Sequence, residues 1–323
     1  MVEWNEQAGR LREAVLDLLW EQWGAFGAAG LSLAKKVPFV ADPEALILAT
    51  MRFGAGEARL TDEVLDWLSR NGGLISLQRL KNLQTSSRVG TREGLVGLGS
   101  FMEQQGFRNG KALSIWAGKV SSESGQPWVS ETSELREMSV VPDLRREECF
   151  LLRMRSVFGV SARPEVLTWL LTHEEGYAAE IARDTGWFSK SVQAILNDLE
   201  LAGLVISHPE GKRKVFALRR RNGILDPTLG LGDLHWLSQG PFYLGVLYAI
   251  QTADRLAKMP EASESAKAIA IRGEMTSLNA AFRLSGMKDP FAGGGFLKGT
   301  ELVECFERGL RDLVKVLEGR DFG

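Results

Sequence analysis

Chemistry has few places to sit in this chain of 323 residues. Its two cysteines, Cys149 and Cys305, lie far apart and have no Cys or His neighbours at metal-ligand spacing, which argues against a disulfide scaffold or a zinc site. The three histidines, His173, His208 and His235, lack a Cys, Asp or Glu partner at ligand or triad spacing and read as structural. His173-Glu174-Glu175 is missing the second histidine of a zinc-protease helix. Gly106-Phe107-Arg108-Asn109-Gly110-Lys111 approaches a phosphate loop. It is one residue short of the required spacing, continues with Ala112 in place of Ser or Thr, and follows no clear strand. Gly54-Ala55-Gly56 lacks the third glycine of a dinucleotide fingerprint and reads as a turn. The expectation is no catalysis, no metal and no cofactor.

Charge singles out one segment. Lys and Arg number 39 against 41 Asp and Glu, a net charge of -2, which excludes a uniformly basic coat for nucleic acid. Between Gly186 and Arg221, however, seven bases (Lys190, Lys212, Arg213, Lys214, Arg219, Arg220, Arg221) face three acids (Asp198, Glu200, Glu210). That surplus of +4 leaves the rest of the chain at -6. Positive charge gathered on one short segment is the footprint of a phosphate-binding surface.

The elements that carry this charge are legible from spacing. Pro164, at a first helical position, leads Val166, Leu167, Leu170 and Leu171 along one face, and Gly176 stops that helix. A second helix spans Tyr177 to Thr185 with Ile181 and Ala182 inward, and Gly186 reverses the chain because a residue without Cβ tolerates positive φ. The third helix, 189–202, buries Val192, Ile195, Leu196 and Leu199 and turns Lys190, Gln193, Ala194 and Asn197 outward. Gly203 ends it. Leu204-Val205-Ile206 reads as a strand, Pro209-Glu210-Gly211 as its turn and Lys214–Leu218 as the returning strand.

This order resembles the winged helix-turn-helix domain of bacterial repressors of the ArsR and MarR type. The resemblance rests on Ile181-Ala182, Gly186 four residues after Ala182, Val192 six after Gly186, Leu196, Leu199, Gly203-Leu204-Val205, and the basic Lys212-Arg213-Lys214 at wing distance. It covers residues 163–221, under a fifth of the chain. It implies a third helix in the major groove of DNA and a wing, 204–218, along the backbone. Carried over by position, Lys190, Gln193 and Asn197 become base-facing, and Lys212, Arg213 and Lys214 become phosphate contacts. Ser189 and Arg219 complete the candidate set. One position departs from the pattern. Two residues after the turn glycine, where the family carries a Ser or Thr cap, stands Phe188, preceded by Trp187. Ser189 is then the candidate cap, and a buried aromatic face is the alternative.

The remainder reads as helical framework, so the fold class is mainly α, a winged helix-turn-helix domain flanked by N- and C-terminal helical regions. Amphipathic or capped stretches cover 4–23, 42–53, 61–71 and 74–83, whereas the glycine-rich 90–110 shows little period. Residues 120–136 are polar and Ser/Glu-rich. The division expected is a helical domain 1–119, a linker 120–142, the winged domain with a leading helix 143–221, and a helical region 222–323. In that last region helices are expected over 241–258, 264–284 and 300–317. Nine tryptophans are scattered among these helices and read as core and interface anchors. His235-Trp236-Leu237 with Pro241-Phe242-Tyr243-Leu244 reads as core, with an effector pocket or a dimer seam as alternatives.

Phe242–Ile250 falls far short of the ~18 apolar residues a spanning helix needs, and the acidic N-terminus is unlike a secretory signal. A cytoplasmic protein with no membrane partner is expected. The function expected is binding of double-stranded DNA as a transcriptional regulator and homodimer, with room for a small-molecule effector or a protein partner. Apolar stripes on 143–158 (Phe150, Leu151, Met154, Val157) and 300–317 are the candidate dimer surfaces. The alternative is a protein-interaction or antitoxin-like subunit that uses the winged helix as its partner-binding module.

Overall fold

A computed structural model describes residues 4–28, 37–120, 128, 135–219 and 235–322. Among these described residues, six helices come first: α1 (Trp4–Ala25), α2 (Pro43–Phe53), α3 (Ala58–Asn71), α4 (Leu77–Ser87), α5 (Arg92–Gln104) and α6 (Gly110–Ala117). Three come last: α11 (Gln239–Ala257), α12 (Glu264–Ser285) and α13 (Gly299–Gly319). Between them lie α7 (Phe150–Phe158), α8 (Ala162–Thr172), β1 (Gly176–Tyr177), α9 (Ala178–Thr185), α10 (Ser189–Leu201), β2 (Val205–Glu210) and β3 (Arg213–Leu218). The protein is mainly α, with one small antiparallel sheet of order β1-β3-β2 among the described residues.

Local capping chemistry sets several helix starts. Asp42 accepts from Ala45 N at 3.2 Å with Pro43 at the first helical position, Ser76 caps α4 through Arg79 N at 3.2 Å, and Thr91 caps α5 through Gly94 N at 3.1 Å. The glycine-rich stretch without period is therefore the α5–α6 hairpin. A Cβ on Gly99 would fall 2.4 Å from Ser114 Oγ, and one on Gly110 would fall 2.4 Å from Glu103 N. Glycines let the two backbones touch, and that contact cannot be seen in a hydropathy period.

The first and last helical regions share one core. α1 packs on α2, α11 and α13, and Leu11, Leu18, Leu46, Phe242, Val246, Leu278 and Phe306 all lie in it. Trp23 and Trp67 meet edge to face at 5.4 Å, with Trp23 Nε1 donating to Thr50 Oγ1 and Trp67 Nε1 to the carbonyl oxygen of Phe26. The α13 stripe of Leu302, Phe306, Leu310, Leu313 and Leu317 is spent entirely on this core. Phe150, Leu151 and Met154 are buried as well, which leaves only Val157 of that stripe exposed, at 69%. The α13 stripe, and all of the other stripe except Val157, are thus satisfied within a single chain.

The helix expected over 143–158 begins only at Phe150. Residues 144–149 form turns and bends, with Cys149 N donating to the carbonyl oxygen of Arg146 and Arg153 Nε to that of Leu144. Of the expected linker, 121–127 and 129–134 lie outside the described residues, as does the expected boundary at 221. Residues 135–142, with Glu137 at φ +56°, form no helix or strand and lie against α3, where the buried Asp66 carboxylate accepts backbone N–H groups of Glu137 and Ser139.

A second core gathers Phe150, Val166, Leu167, Trp169, Ile181, Val192, Leu196, Leu199, Val205 and Phe216. The sequence treated Gly176 as a helix stop. It is instead in a short strand that pairs with Phe216 on β3, and α8 has already ended at Thr172. A Cβ there would lie 2.3 Å from Trp169 Cη2, so glycine is what lets the strand cross the indole. The hairpin is also longer than expected, with Pro209 opposite Lys214 and Glu210 opposite Arg213. Gly211 (φ +59°) and Lys212 form its two-residue turn, in place of Pro209-Glu210-Gly211. β2 is an edge strand, where a proline without N–H costs the sheet no ladder bond.

Candidate nucleic-acid interface

The site begins at Gly186, whose φ of +72° turns the chain from α9 into α10. Trp187 N donates to the carbonyl oxygen of Ala182 at 3.1 Å, closing the end of α9. The cap of α10 is then Phe188, which has no side-chain capping bond, so Ser189 is the first helical residue and not the cap. The Phe188 carbonyl oxygen accepts from Ser191 N and Val192 N. The ring of Phe188 is exposed and that of Trp187 half-buried, so only the second faces protein.

Along α10, Val192, Leu196 and Leu199 are buried, while Lys190 and Asn197 are exposed and Gln193 is half-buried. Gln193 Nε2 donates to Asn197 Oδ1 at 3.0 Å, so the two amides stand as a linked pair one turn apart. In front of them lies a groove of about 490 Å³. Its walls are the end of β1 (Tyr177) with the start of α9 (Ala178, Ala179), the first turns of α10 (Ser189, Lys190, Gln193) and the start of β3 (Arg213, Lys214). Five of the eight candidate residues therefore converge on one concave surface, and Asn197 joins through Gln193. Lys212 stands at the hairpin tip, and Arg219 lies at the opposite end of β3, where its N–H donates to the carbonyl oxygen of Leu204.

The three wing cations are not equivalent. Simple alternation would send Lys212 and Lys214 to one side and Arg213 to the other, but Lys212 belongs to the turn. Lys214 Nζ meets Glu200 Oε2 at 2.6 Å, and Ser207 Oγ donates to the other carboxylate oxygen. Lys214 first, then Ser207, holds the Glu200 carboxyl below its ordinary range. The Arg213 guanidinium sits 4.6 Å from the ring centre of Tyr177. Among the described residues, Lys190, Lys212, Arg213 and Arg219 make no ion pair.

What sequence reasoning missed is the mounting of this domain. Five charged side chains are buried where α2, α4, α7 and α8 meet: Asp42, Glu44, Arg79, Arg155 and Glu165. Arg79 spans Asp42 and Glu44, with Nη1 at 2.6 Å from Glu44 Oε2 and Nη2 at 2.5 Å from Asp42 Oδ2. Arg155 pairs bidentately with Glu44 at 2.8 Å and with Glu165 Oε1 through Nε at 2.9 Å. Burial raises the Asp42 carboxyl, but the charge and hydrogen bonds of Arg79 more than offset it, and Asp42 ends below its ordinary value. At Glu165 burial outweighs Arg155 and Arg79, and the carboxyl is raised. Its Oε2 has no hydrogen-bond partner. The only sequence signal was charge on otherwise apolar helix faces: Arg79 before Leu80, Arg155 after Met154, Glu165 before Val166.

Elsewhere the chemistry-bearing residues are occupied structurally. Cys149 is buried, its Sγ donates to the carbonyl oxygen of Ala25 at 3.2 Å, and burial pushes its thiol up to about 12. The His173 ring stacks on Trp169 at 3.8 Å, and burial lowers its pKa. His208 Nε2 lies 3.6 Å from Glu175 Oε2 on the surface. No cluster of metal-ligand side chains occurs among the described residues, and no helix among them is long and apolar enough to cross a membrane.

No curated protein and no solved structure matches the chain. Residues 170–211 match the family described as the DprA winged helix domain. The match supports a winged helix over the segment just described. It is to a DprA-type domain, and the ArsR and MarR likeness seen in the spacing has no such match behind it.

Proposed function

We propose that the winged helix binds double-stranded DNA, with α10 reading base edges and the wing on the phosphates. The convergence of Ser189, Lys190, Gln193, Arg213 and Lys214 on one groove carries this reading. An amide pair such as Gln193 and Asn197 matches the donor–acceptor edge of adenine, and unpaired cations on both flanks match the backbone. The name of the matched family, a DprA winged helix domain, is in keeping with work on DNA. Regulation of transcription by a homodimer is the finer form of the proposal. Since the stripe on α13 and all of the α7 stripe except Val157 are consumed internally, a dimer would have to rest mainly on other surfaces.

The test is fluorescence anisotropy of a labelled random duplex titrated with the full chain at several salt concentrations. Binding whose log K falls with log salt by about one unit per phosphate contact is expected. No binding at low salt would remove the reading. A protein-partner role has one observation in its favour. Phe188, Ile206 and Leu201 are exposed apolar side chains on the winged domain, Leu201 at 90%. Capture of a protein that competes with DNA for this face would support it.

A further inference from the structure

The winged helix and the helical body meet over a cavity of about 270 Å³, near the lower end of small-molecule sites. Its walls come from three places: Leu83 and Ser87 on α4, Arg183 and Asp184 on α9, and the start of α11 with the outer face of α12. Pro241 and Leu244, from the aromatic stretch that reads as core in the sequence, face this space, whereas Phe242 and Tyr243 are core. We propose that this cavity binds a small uncharged molecule, mostly apolar and carrying one hydrogen-bonding head such as a hydroxyl or an amide.

The polarity of the lining decides the ligand class. Leu83, Pro241, Leu244, Ala280, Ala281 and Leu284 supply apolar wall. The charged groups are already neutralised. Asp42 is held by Arg79, while Asp184 takes Arg183 Nε on Oδ1 at 2.8 Å and Trp169 Nε1 on Oδ2 at 3.1 Å. A charged ligand would therefore find no counter-ion, and burying it unpaired is costly. Uncommitted polar capacity remains. Gln239 is buried, and its Nε2 donates to the carbonyl oxygen of Val40 at 2.8 Å while Oε1 has no partner. Tyr248 and Ser277 also line the space, and their hydroxyls are hydrogen-bonded to no other described residue. A buried polar atom without a partner gains most from a ligand that supplies one.

Position gives the site its consequence. Arg183 and Asp184 belong to the last turn of α9, immediately before Gly186, and Leu83 would lie 2.6 Å from a Cβ at Gly186. An occupant would tie α9 to α4, α11 and α12 at once, so binding should stiffen the helix-turn-helix against the body. The site itself does not depend on what the groove binds.

The experiment uses the full chain with benzyl alcohol and benzamide as probes, and benzoate and benzylammonium as charged counterparts. Ligand-observed NMR titration should show saturable binding of the two neutral probes at millimolar concentration, and at least tenfold weaker binding of the charged pair. Amide hydrogen exchange across 178–186 should slow on adding the neutral probes. Ala280→Phe fills the cavity from a half-buried position on α12 and should abolish both effects. If that variant is unstable, Tyr248→Phe keeps the wall and should weaken benzyl alcohol several-fold. Absence of saturable binding, equal binding of the charged pair, or titrations unchanged in the variants would overturn the site. Binding without slower exchange would overturn the coupling to α9. No readout involves DNA, so failure here is separate from failure of the DNA reading.

Discussion

Arg79 Nε donates to the carbonyl oxygen of Thr185 at 2.7 Å, and through this bond the body of the protein holds the last residue of α9. Asn82, three residues on, does the same for the next carbonyl, its Nδ2 donating to Gly186 O at 3.0 Å. The final carbonyls of a helix have no intrahelical partner and carry its negative dipole end, so a guanidinium suits them better than water does. The same guanidinium is anchored by Asp42 and Glu44. The turn that presents α10 is therefore fixed to α2 and α4 by charge, while its own hydrophobic core fixes its shape.

The network carries two guanidinium groups and three carboxylates, and burial raises the Glu165 carboxyl above its ordinary value. Glu165→Gln keeps the shape and removes the charge that burial penalises, so it should cost less than the loss of Arg155. Arg155→Met, which leaves Glu44 and Glu165 without their shared partner, should cost about 3–5 kcal/mol in urea unfolding. pH separates the members. The raised Glu165 binds its proton more tightly in the folded chain, so its contribution is full below the ordinary value of 4.5 and is lost as pH rises through the folded value. Glu165→Gln should abolish that loss. Asp42, held low, adds stability that disappears as pH falls through its folded value. A Gln variant as damaging as Arg155→Met would show that Glu165 is ionised in the fold.

Gly186 and Gly203 have nearly the same φ, +72° and +73°, but different surroundings. A Cβ on Gly186 meets Leu83 Cδ2 at 2.6 Å, and one on Gly203 meets nothing within 4 Å. Alanine at 203 should cost only the left-handed penalty of about 1–2 kcal/mol. At position 186 overpacking adds about 1–3 kcal/mol. Thermal unfolding of the two variants side by side gives the difference. Equal losses would mean that α4 yields freely at this contact.

The winged helix was the legible part because its rules are local. The stripe of α10 and the turn at Gly186 follow from spacing within about ten residues, and the structure buries Val192, Leu196 and Leu199 of that stripe while Ile195 is half-buried. β1 escaped notice because two residues, Gly176 and Tyr177, carry no alternation, and their pairing to Val215 and Phe216 spans some forty residues. The α5–α6 hairpin escaped for a related reason, since backbone contact through Gly99 and Gly110 leaves no apolar period. The site was half legible. Residue types pointed to Lys190, Gln193 and Asn197, but the engagement of Lys214 by Glu200 depends on how β3 lies over α10. Of the mounting network only isolated charges on apolar helix faces could be read, because the ion pair between Arg155 and Glu44 joins residues 111 positions apart.

Gln193 and Asn197 should act as one unit, because one amide already orients the other. Replacing both by Ala should cost about 1–3 kcal/mol for each amide–base pairing removed and flatten the preference among duplex sequences. Either single variant should lose more than half of the double's effect, as expected for coupled neighbours. Binding selection on a randomised duplex pool checks the preference, and competition anisotropy the affinity. Unchanged selectivity in the double variant would take base reading away from α10.

On the wing, the pairing of Lys214 with Glu200 sets the direction of each change. Lys212 has no ion-pair partner among the described residues, so Lys212→Ala should reduce the salt slope by about one unit and leave the thermal midpoint unchanged. Lys214→Ala should weaken binding more than Lys212→Ala, because it also strips Glu200 of its counter-ion and leaves a bare carboxylate beside the phosphates. Glu200→Gln should tighten binding to all sequences alike, since it releases a cation and removes a repulsive charge in one step. Phosphate contacts carry no sequence information, so selectivity should stay fixed in all three. Salt-dependent anisotropy on one random and one selected duplex measures every term. Weaker binding by Glu200→Gln would show that the Lys214–Glu200 pair is what shapes the groove, and that the wing meets DNA through its geometry and not through that lysine's free charge.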